Sequence, residues 1–346
     1  MDFCSNDYLG LLKSHKLGAK IKEFFPNYDP QTGSGGSRLL SGNRSFYQDV
    51  ERIIARYHQS ESALVFSCGY MANLAVLSTL PQRLDTILYD EYCHASLRDG
   101  IRLSFARNLS FRHNDYEDLY TKARIADGCV WVVTESVFSM DGDAPDFNIL
   151  SDICRSNDAT LVVDEAHALG LLGERGEGLS SGAADVRILG FGKAAAAAGG
   201  GVLASNDTID YLVNRARPFI YSTAPPPNFW HALYAFYRIL PELQPERQAL
   251  FANVSRFKQA MSDANIPCLG GDGGIFSVLF PGNENVKTAA KLLARSGFDA
   301  RPILHPTVPK SKERIRICLH SFNTEEEIYR LTQALKQAHE SFACQP

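Results

Sequence analysis

The sequence predicts an α/β architecture: a large domain built on a mostly parallel sheet flanked by helices, followed by a smaller α+β C-terminal domain. Three observations predict it. Short apolar runs recur through the chain without alternating with polar residues, the mark of parallel strands covered on both faces. Stretches with helical periodicity lie between them. After Ala224-Pro225-Pro226-Pro227 the texture changes to helix, strand, helix, strand, helix.

The predicted strands are Ala63–Phe66, Thr86–Tyr89, Cys129–Val133, Thr160–Val163, Ile188–Phe191 and Gly201–Ala204. The clearest intervening helix is Ser45–His58, where Ser45 and Gln48 form a capping box and Phe46, Val50, Ile53, Ile54 and Tyr57 share a face. Beyond the proline run, Ile275–Phe280 reads as a strand and Asn285–Arg295 as a helix stopped by Gly297. The Thr324/Glu327 capping box opens a last helix, Asn323–His339, with Ile328, Leu331, Leu335 and Ala338 inward. The expected organisation is an N-terminal segment over 1–40 that contributes to the active site, a large domain over 41–224 and a small domain over 225–346.

Composition narrows the classes of function. A chain of 346 residues that is 45% hydrophobic buries a full core, which excludes disorder and a disulfide miniprotein. The net charge is −4 and no five like charges run together, so the basic footprint of nucleic-acid or anionic-membrane binders is absent. The eight cysteines, Cys344 the last, form no CxxC pair, which points to reduced thiols. MDFCSNDYLG has no basic head before an apolar stretch and is not a signal peptide. The uncharged run 62–82 is broken by Ser, Gly, Asn and Pro and reads as strand then helix. A soluble cytoplasmic protein without a membrane span is expected.

In open parallel sheets, ligands bind beyond the carboxyl ends of the strands. Polar groups follow each apolar run here: Ser67 to Asn73, Asp90 to Ser96, Thr134 to Asp143, Asp164-Glu165-Ala166-His167, and Gly192-Lys193. Lys193 has no carboxylate near it along the chain and sits among Phe191 and alanines, so desolvation would lower its pKa and make it a Schiff-base candidate. A lysine snorkelling from a strand end is the alternative. Asp164 ends an apolar strand and calls for a cationic partner such as a protonated pyridine nitrogen; a helix N-cap explains it equally. Ser67-x-Gly69-Tyr70 at a strand-to-helix turn offers amides to a phosphate, or is an ordinary turn. Arg314 and Arg316 share a strand face, suited to a carboxylate or simply solvated.

Rival motifs are weaker. Gly190-x-Gly192-x-x-Ala195 loosely matches a dinucleotide fingerprint, with Asp210 further on, and leaves a nicotinamide-binding oxidoreductase open. A P-loop fails on Arg187 and Ala194, and Gly178-Leu179-Ser180-Ser181-Gly182 lacks the preceding strand of a nucleophile elbow, leaving Ser180 a loop serine. No HExxH occurs and Cys93-His94 has no spaced partner pair, so no metal is expected.

Seven ordered segments carry a resemblance over nearly the whole chain. They are Asn6-Asp7-Tyr8-Leu9-Gly10, the run from Gly33 to Asn43, His94-Ala95-Ser96, Phe138 to Asp143, Asp164-Glu165-Ala166-His167, Phe191-Gly192-Lys193, and Tyr221-Ser222-Thr223-Ala224. Together they resemble the α-oxoamine synthases, acyltransferases of the fold-type-I pyridoxal 5′-phosphate (PLP) group. Ser37 to Asn43 and His305-Pro306-Thr307-Val308-Pro309 are most similar to the biotin-pathway branch, which makes 8-amino-7-oxononanoate.

The resemblance implies that Lys193 holds PLP as an imine and later removes the substrate Cα proton, while Asp164 pairs with the pyridinium nitrogen. It implies that His94 stacks on the ring and His167 bonds the ring hydroxyl. Gly69 and Tyr70 would seat the phosphate with Ser222 and Thr223 of a second subunit, which makes the protein a homodimer with shared active sites. Asn6, Ser139 and Arg316 would hold the substrate carboxylate, Ser139 also counting among the cofactor contacts, and Thr307 is a further substrate-binding position. The implied reaction joins L-alanine to a pimeloyl thioester, on coenzyme A or an acyl carrier protein, with loss of carbon dioxide. Another member of the family, using glycine or serine with a different acyl-CoA, and a catalytically silent homologue are the alternatives. Four departures stand out. The chain begins almost at Asn6, leaving the family's acyl-binding arginine unassigned; Gly190 replaces a phosphate-contacting threonine; Phe46 replaces a frequent histidine; and Ala194–Ala198 with Gly199–Gly201 replace a more varied loop.

Overall fold

In the computed structural model residues 1–27 and 31–343 are described, and Cys344 lies outside them. The chain divides into two compact units. The larger comprises His15–Phe138 and Ala144–Pro241; the smaller comprises Met1–Ser14, Ser139–Asp143 and the chain from Glu242 onward.

The larger unit carries the strands β1 (Ser62–Phe66), β2 (Thr86–Asp90), β3 (Arg107–Phe111), β4 (Val130–Glu135), β5 (Thr160–Asp164), β6 (Val186–Gly190) and β7 (Gly200–Ala204). Its helices are α1 (Lys16–Phe24), α2 (Ser45–Tyr57), α3 (Gly69–Thr79), α4 (Ala95–Leu103), α5 (Tyr116–Arg124), α6 (Phe147–Ser156), α7 (Asn206–Arg215), α8 (Arg217–Ile220) and α9 (Pro227–Ile239). The sheet order is β1-β7-β6-β5-β4-β2-β3, and every pairing is parallel except those of β7. Its two faces feed separate apolar clusters, one around Leu64, Val76, Ile87 and Ile188 and one around Leu88, Val132, Leu161 and Val163. That two-sided burial is why the strands read as continuous apolar runs.

The structure departs from the sequence reading where polar residues join strands. β3 was not among the predicted strands because it is an edge strand with mostly exposed residues. β6 begins at Val186, two residues before the predicted start, because Arg187 lies inside it, buried by an ion pair to Glu165 at 3.5 Å. The uncharged run 62–82 becomes β1 and α3, and among the described residues no helix is long and apolar enough to cross a membrane. The Ser45/Gln48 capping box does not form: Arg44 is the N-cap and makes no side-chain cap bond. The buried face of α2 is turned toward Tyr47, Val50, Glu51 and Ile54, with Tyr47 stacked on Trp230 at 4.3 Å.

The smaller unit contains α10 (Gln244–Asp263), β8 (Leu269–Gly270), β9 (Ile275–Leu279), α11 (Asn283–Arg295), β10 (Arg301–Ile303), β11 (Arg314–Cys318) and α12 (Glu325–Ala343). Its antiparallel sheet runs β10-β11-β9-β8. Here the capping box is real: the Thr324 amide donates to Glu327 and the Glu327 amide to Thr324 Oγ1, and Ile328, Leu331, Leu335 and Ala338 are buried as expected. Residues 1–3 follow the small unit's edge, with Asp2 bridging Asp299.

Candidate active site

The carboxyl ends of β4, β5 and β6 lie side by side, with Glu135 opposite Asp164 and Asp164 opposite Ile188 in register. In parallel strands, residues so paired project to the same face, so the two carboxylates are neighbours. Asp164 is buried; its Oδ1 accepts the Ala166 amide at 2.9 Å and its Oδ2 accepts Asn73 Nδ2 at 2.7 Å. A carboxylate has about four lone-pair sites, so acceptor capacity is left for a further donor. His167, three residues on, is also buried.

Lys193 is half-buried in the turn that links β6 to β7. That turn closes on itself through Ala196 N–H to Lys193 O, Ala197 N–H to Phe191 O and Phe191 N–H to Gly199 O. Ala194, Ala195 and Ala197 are buried, and a Cβ on Gly199 would lie 2.5 Å from the Phe229 ring, so small residues are a packing requirement of this loop. The turn is no helix, and β7 returns antiparallel, which removes the strand–turn–helix context that the dinucleotide fingerprint needs. The expected apolar surround of Lys193 is also corrected. Asp164 and Glu135 both act electrostatically in this cluster, and Glu135, distant in sequence, feels the charge of Lys193 directly.

His94 is the N-cap of α4, and its backbone N–H donates to Glu135 Oε1 at 2.6 Å. Burial lowers its ring pKa, an effect opposed by Asp164 and Asp99 and reinforced by Lys193. Burial, and then Asp164, raise the Glu135 carboxyl from 4.5 to about 8, against Lys193 and the His94 N–H. The folded protein therefore keeps a proton on Glu135 that the unfolded chain has lost above pH 4.5. Since the unfolded state binds fewer protons in this window, the contribution is fully present below pH 4.5 and is lost as pH rises to about 8. Glu135→Gln is expected to flatten that part of the pH dependence. Urea midpoints of the apoprotein near pH 5 and near pH 8 should differ less in the variant than in the parent.

Gly69 opens α3 and Tyr70 follows, its hydroxyl donating to Asp99. Cys68, the N-cap, makes no side-chain cap bond, so the first-turn amides of α3 are open to an anion. β7 packs tightly beneath: a Cβ on Gly200 would lie 2.5 Å from the Gly69 Cα. A Cβ on Gly190 would lie 2.6 Å from the Ala166 Cβ, so glycine at 190 follows from close packing. Ser222 is half-buried and Thr223 exposed after α8, Thr223 bridging Ser37. Ser180 is a loop serine as read, but wholly buried, its hydroxyl donating to Glu165.

In the smaller unit, Arg316 Nε donates to Ser139 O at 2.6 Å and Nη2 to Asn6 Oδ1 at 3.0 Å, and Tyr8 Oη donates to the same Asn6 oxygen at 3.1 Å. Asn6, Ser139 and Arg316 thus come together across 310 residues of sequence. Thr307 is exposed in the β10–β11 connection and, among the described residues, has no hydrogen bond to that group. Arg314, on the same strand face, is buried in an ion pair with Asp141 and donates to Met140 O at 3.3 Å, which rules out a solvated role for it. The sequence reading assigned no role to Asn73, Ser96 or Glu135. Their signal was the polar stretch after each strand, but their convergence is not visible along the chain.

A mostly parallel seven-stranded sheet with a lysine, two carboxyls and an imidazole at its carboxyl edge is the arrangement of the fold-type-I PLP-dependent transferases. Residues 1–335 match the family model described as aminotransferase class I and II, and the chain belongs to that family, within it to the α-oxoamine synthases. It is 36% identical to an 8-amino-7-oxononanoate synthase of Marinobacter nauticus, over 98% of this chain and 87% of the relative. An 8-amino-7-oxononanoate synthase structure from Francisella tularensis superposes with a TM-score of 0.84 at 28% identity, covering 99% of this chain and 98% of that one. A serine palmitoyltransferase solved with PLP as its internal aldimine gives a TM-score of 0.92 at 25% identity, over 99% and 88% of the two chains.

Proposed function

We propose that this protein condenses L-alanine with a pimeloyl thioester, carried on coenzyme A or an acyl carrier protein, releasing carbon dioxide and forming 8-amino-7-oxononanoate for biotin in the cytoplasm. The enzyme is a PLP-dependent acyltransferase of the α-oxoamine synthase type. The observation that carries the finer reading is the grouping of Lys193, Asp164, His94 and Glu135 at the sheet edge, taken with sequence identity to enzymes of that name.

The residues fit the cofactor. Asp164 keeps acceptor capacity for a ring N–H, the amides of Gly69 and Tyr70 are uncapped for a phosphate, and Lys193 supplies an amine whose charge reaches Glu135 and His94. When bound, PLP supplies an electron sink for the negative charge left at the substrate Cα. Lys193 Nζ takes that Cα proton. Asp164 would hold the ring nitrogen, His94 would lie against the ring and His167 would bond the ring hydroxyl. Glu135, protonated near neutral pH, fixes the His94 backbone without adding a second negative charge beside Asp164. Asn6, Ser139 and Arg316, with Thr307, receive the substrate in our reading, and Ser222 and Thr223 of a second subunit complete the phosphate seat of a homodimer.

A second reading, a member using serine, is favoured by the higher TM-score to serine palmitoyltransferase. Spectral titration decides between them. The protein incubated with PLP is expected to absorb in the visible and to shift on adding L-alanine, with weaker responses to glycine and L-serine. A stronger response to serine or glycine defeats the alanine reading, and a colourless protein defeats PLP use.

A further inference from the structure

Of the two arginines that share a face of β11, Arg314 has its charge met by the Asp141 carboxylate. Arg316 is half-buried and, among the described residues, makes no ion pair: its Nε donates to Ser139 O at 2.6 Å and its Nη2 to Asn6 Oδ1 at 3.0 Å, both neutral oxygens. A third neutral oxygen is the Tyr8 hydroxyl, which is hydrogen-bonded to the Arg316 side chain. The direction of each bond is forced. A guanidinium only donates, so the Asn6 atom that faces Nη2 is the oxygen of the carboxamide and not its nitrogen. That oxygen only accepts, so the Tyr8 hydroxyl, 3.1 Å away, gives its hydrogen to it. Oη then has its lone pairs for Arg316. The Cys318 thiol, 3.8 Å from the same Asn6 oxygen, is a further and weaker neighbour. Burial raises the Tyr8 pKa well above 10.0, so the hydroxyl keeps its hydrogen.

We propose that Tyr8 is a positioning residue: its hydroxyl, set between Asn6 Oδ1 and the Arg316 guanidinium, holds that guanidinium ready for the carboxylate of the amino-acid substrate. The inference rests on the reading that Arg316 receives that carboxylate. A cation balanced only by neutral oxygens keeps its attraction for an anion, and Arg314, already paired, does not compete for it. Two bonds define a line about which the guanidinium can still tilt, and the third, at Tyr8 Oη, restricts the tilt. The hydroxyl is not needed to hold the backbone. Cys318 N–H donates to Phe3 O and Ser321 N–H to Tyr8 O, each at 2.8 Å, which pins the segment 3–8 along the end of β11. The Tyr8 side chain is 0% exposed, and phenylalanine would fill the same space without a buried hydroxyl, a group that costs free energy unless it is bonded. Its bonds to Asn6 and Arg316 offset that cost.

The test titrates the PLP-loaded protein with L-alanine and with L-alaninamide, which keeps the amine and the methyl group but lacks the carboxylate, and reads the visible absorbance. Tyr8→Phe is expected to weaken L-alanine binding about tenfold, the loss of one hydrogen bond to a charged group. Binding of L-alaninamide and of PLP should change less than about twofold. In an Arg316→Lys background, Tyr8→Phe should weaken L-alanine no further, since it acts through Arg316. An L-alanine affinity that Tyr8→Phe leaves unmoved, or an equal loss for both ligands, overturns the proposal. A crystal structure of the parent protein with PLP and L-alanine decides even if the variant does not fold. Arg316 is expected to bond the carboxylate while keeping Tyr8 Oη, and a guanidinium that leaves Tyr8 to reach the carboxylate overturns the proposal. A parent that binds L-alaninamide as tightly as L-alanine defeats the reading of Arg316, and the proposal falls with it. A parent that prefers L-alanine, beside a Tyr8→Phe variant with the same preference, sinks the proposal alone.

Discussion

Lys193→Ala is expected to lower the condensation rate by roughly three orders of magnitude or more, the effect of removing a positioned proton-transfer group together with the covalent hold on the cofactor. The fold should survive. The turn that carries residue 193 closes through backbone bonds, from Ala196 N–H to Lys193 O and from Ala197 N–H to Phe191 O, and alanine matches the small neighbours packed there. What the substitution removes is a cation whose charge acts on Glu135 and His94. Lys193 is one of the influences that pull the Glu135 carboxyl down, so without it that carboxyl moves up from about 8 and stays protonated over a wider range. Circular dichroism of the variant should match the parent, while the cofactor absorbance that depends on an imine should disappear. Lys193→Arg separates the two roles: it restores the positive charge but supplies no usable nucleophile, and activity should remain at the alanine level. Recovery of activity in Lys193→Arg would show that charge at this position, rather than the amine, sustains the reaction.

The sheet was legible in the sequence because its strands are buried on both faces, which leaves unbroken apolar runs such as Thr160–Val163 and Thr86–Tyr89. Legibility failed where a polar side chain is buried with a partner far along the chain. Arg187 hid the start of β6 because its partner, Glu165, lies on another connection. β3 hid because an edge strand needs no apolar face. At the site, Lys193 and Asp164 could be picked out as strand-end residues of candidate chemistry, and His94 through the family resemblance. Glu135, Asn73 and Ser96 could not, since each matters through contacts made across sheet and helix that no local spacing encodes. The Asn6–Arg316 bond is the extreme case: neither end predicts the other.

The run from Gly33 to Asn43 owes its character to stability, and Arg38 shows how. Its Nη1 and Nη2 donate to the two carboxylate oxygens of Glu51, each at 2.9 Å, and its Nε donates to Asn43 Oδ1 at 2.7 Å. Both side chains are at most 10% exposed, and the guanidinium lies 5.0 Å from the Trp230 ring. Glu51 Oε1 also accepts the Val65 amide at 2.9 Å, so one buried carboxylate ties the Arg38 loop, α2 and β1 together. Arg38→Met fills much of the same space but strands that carboxylate in the interior. Breaking a buried pair from one side is expected to cost about 3–5 kcal/mol, more than the pair itself contributes over apolar substitutes. The double variant Arg38→Met/Glu51→Leu removes both charges and should recover most of that loss, short of about 1–3 kcal/mol for the Val65 amide left without its acceptor. Urea unfolding of the three proteins measures both terms. A double variant no more stable than Arg38→Met would show that the stranded charge is not what destabilises the single variant, and an Arg38→Met loss below about 1 kcal/mol would show that this loop is held by other contacts.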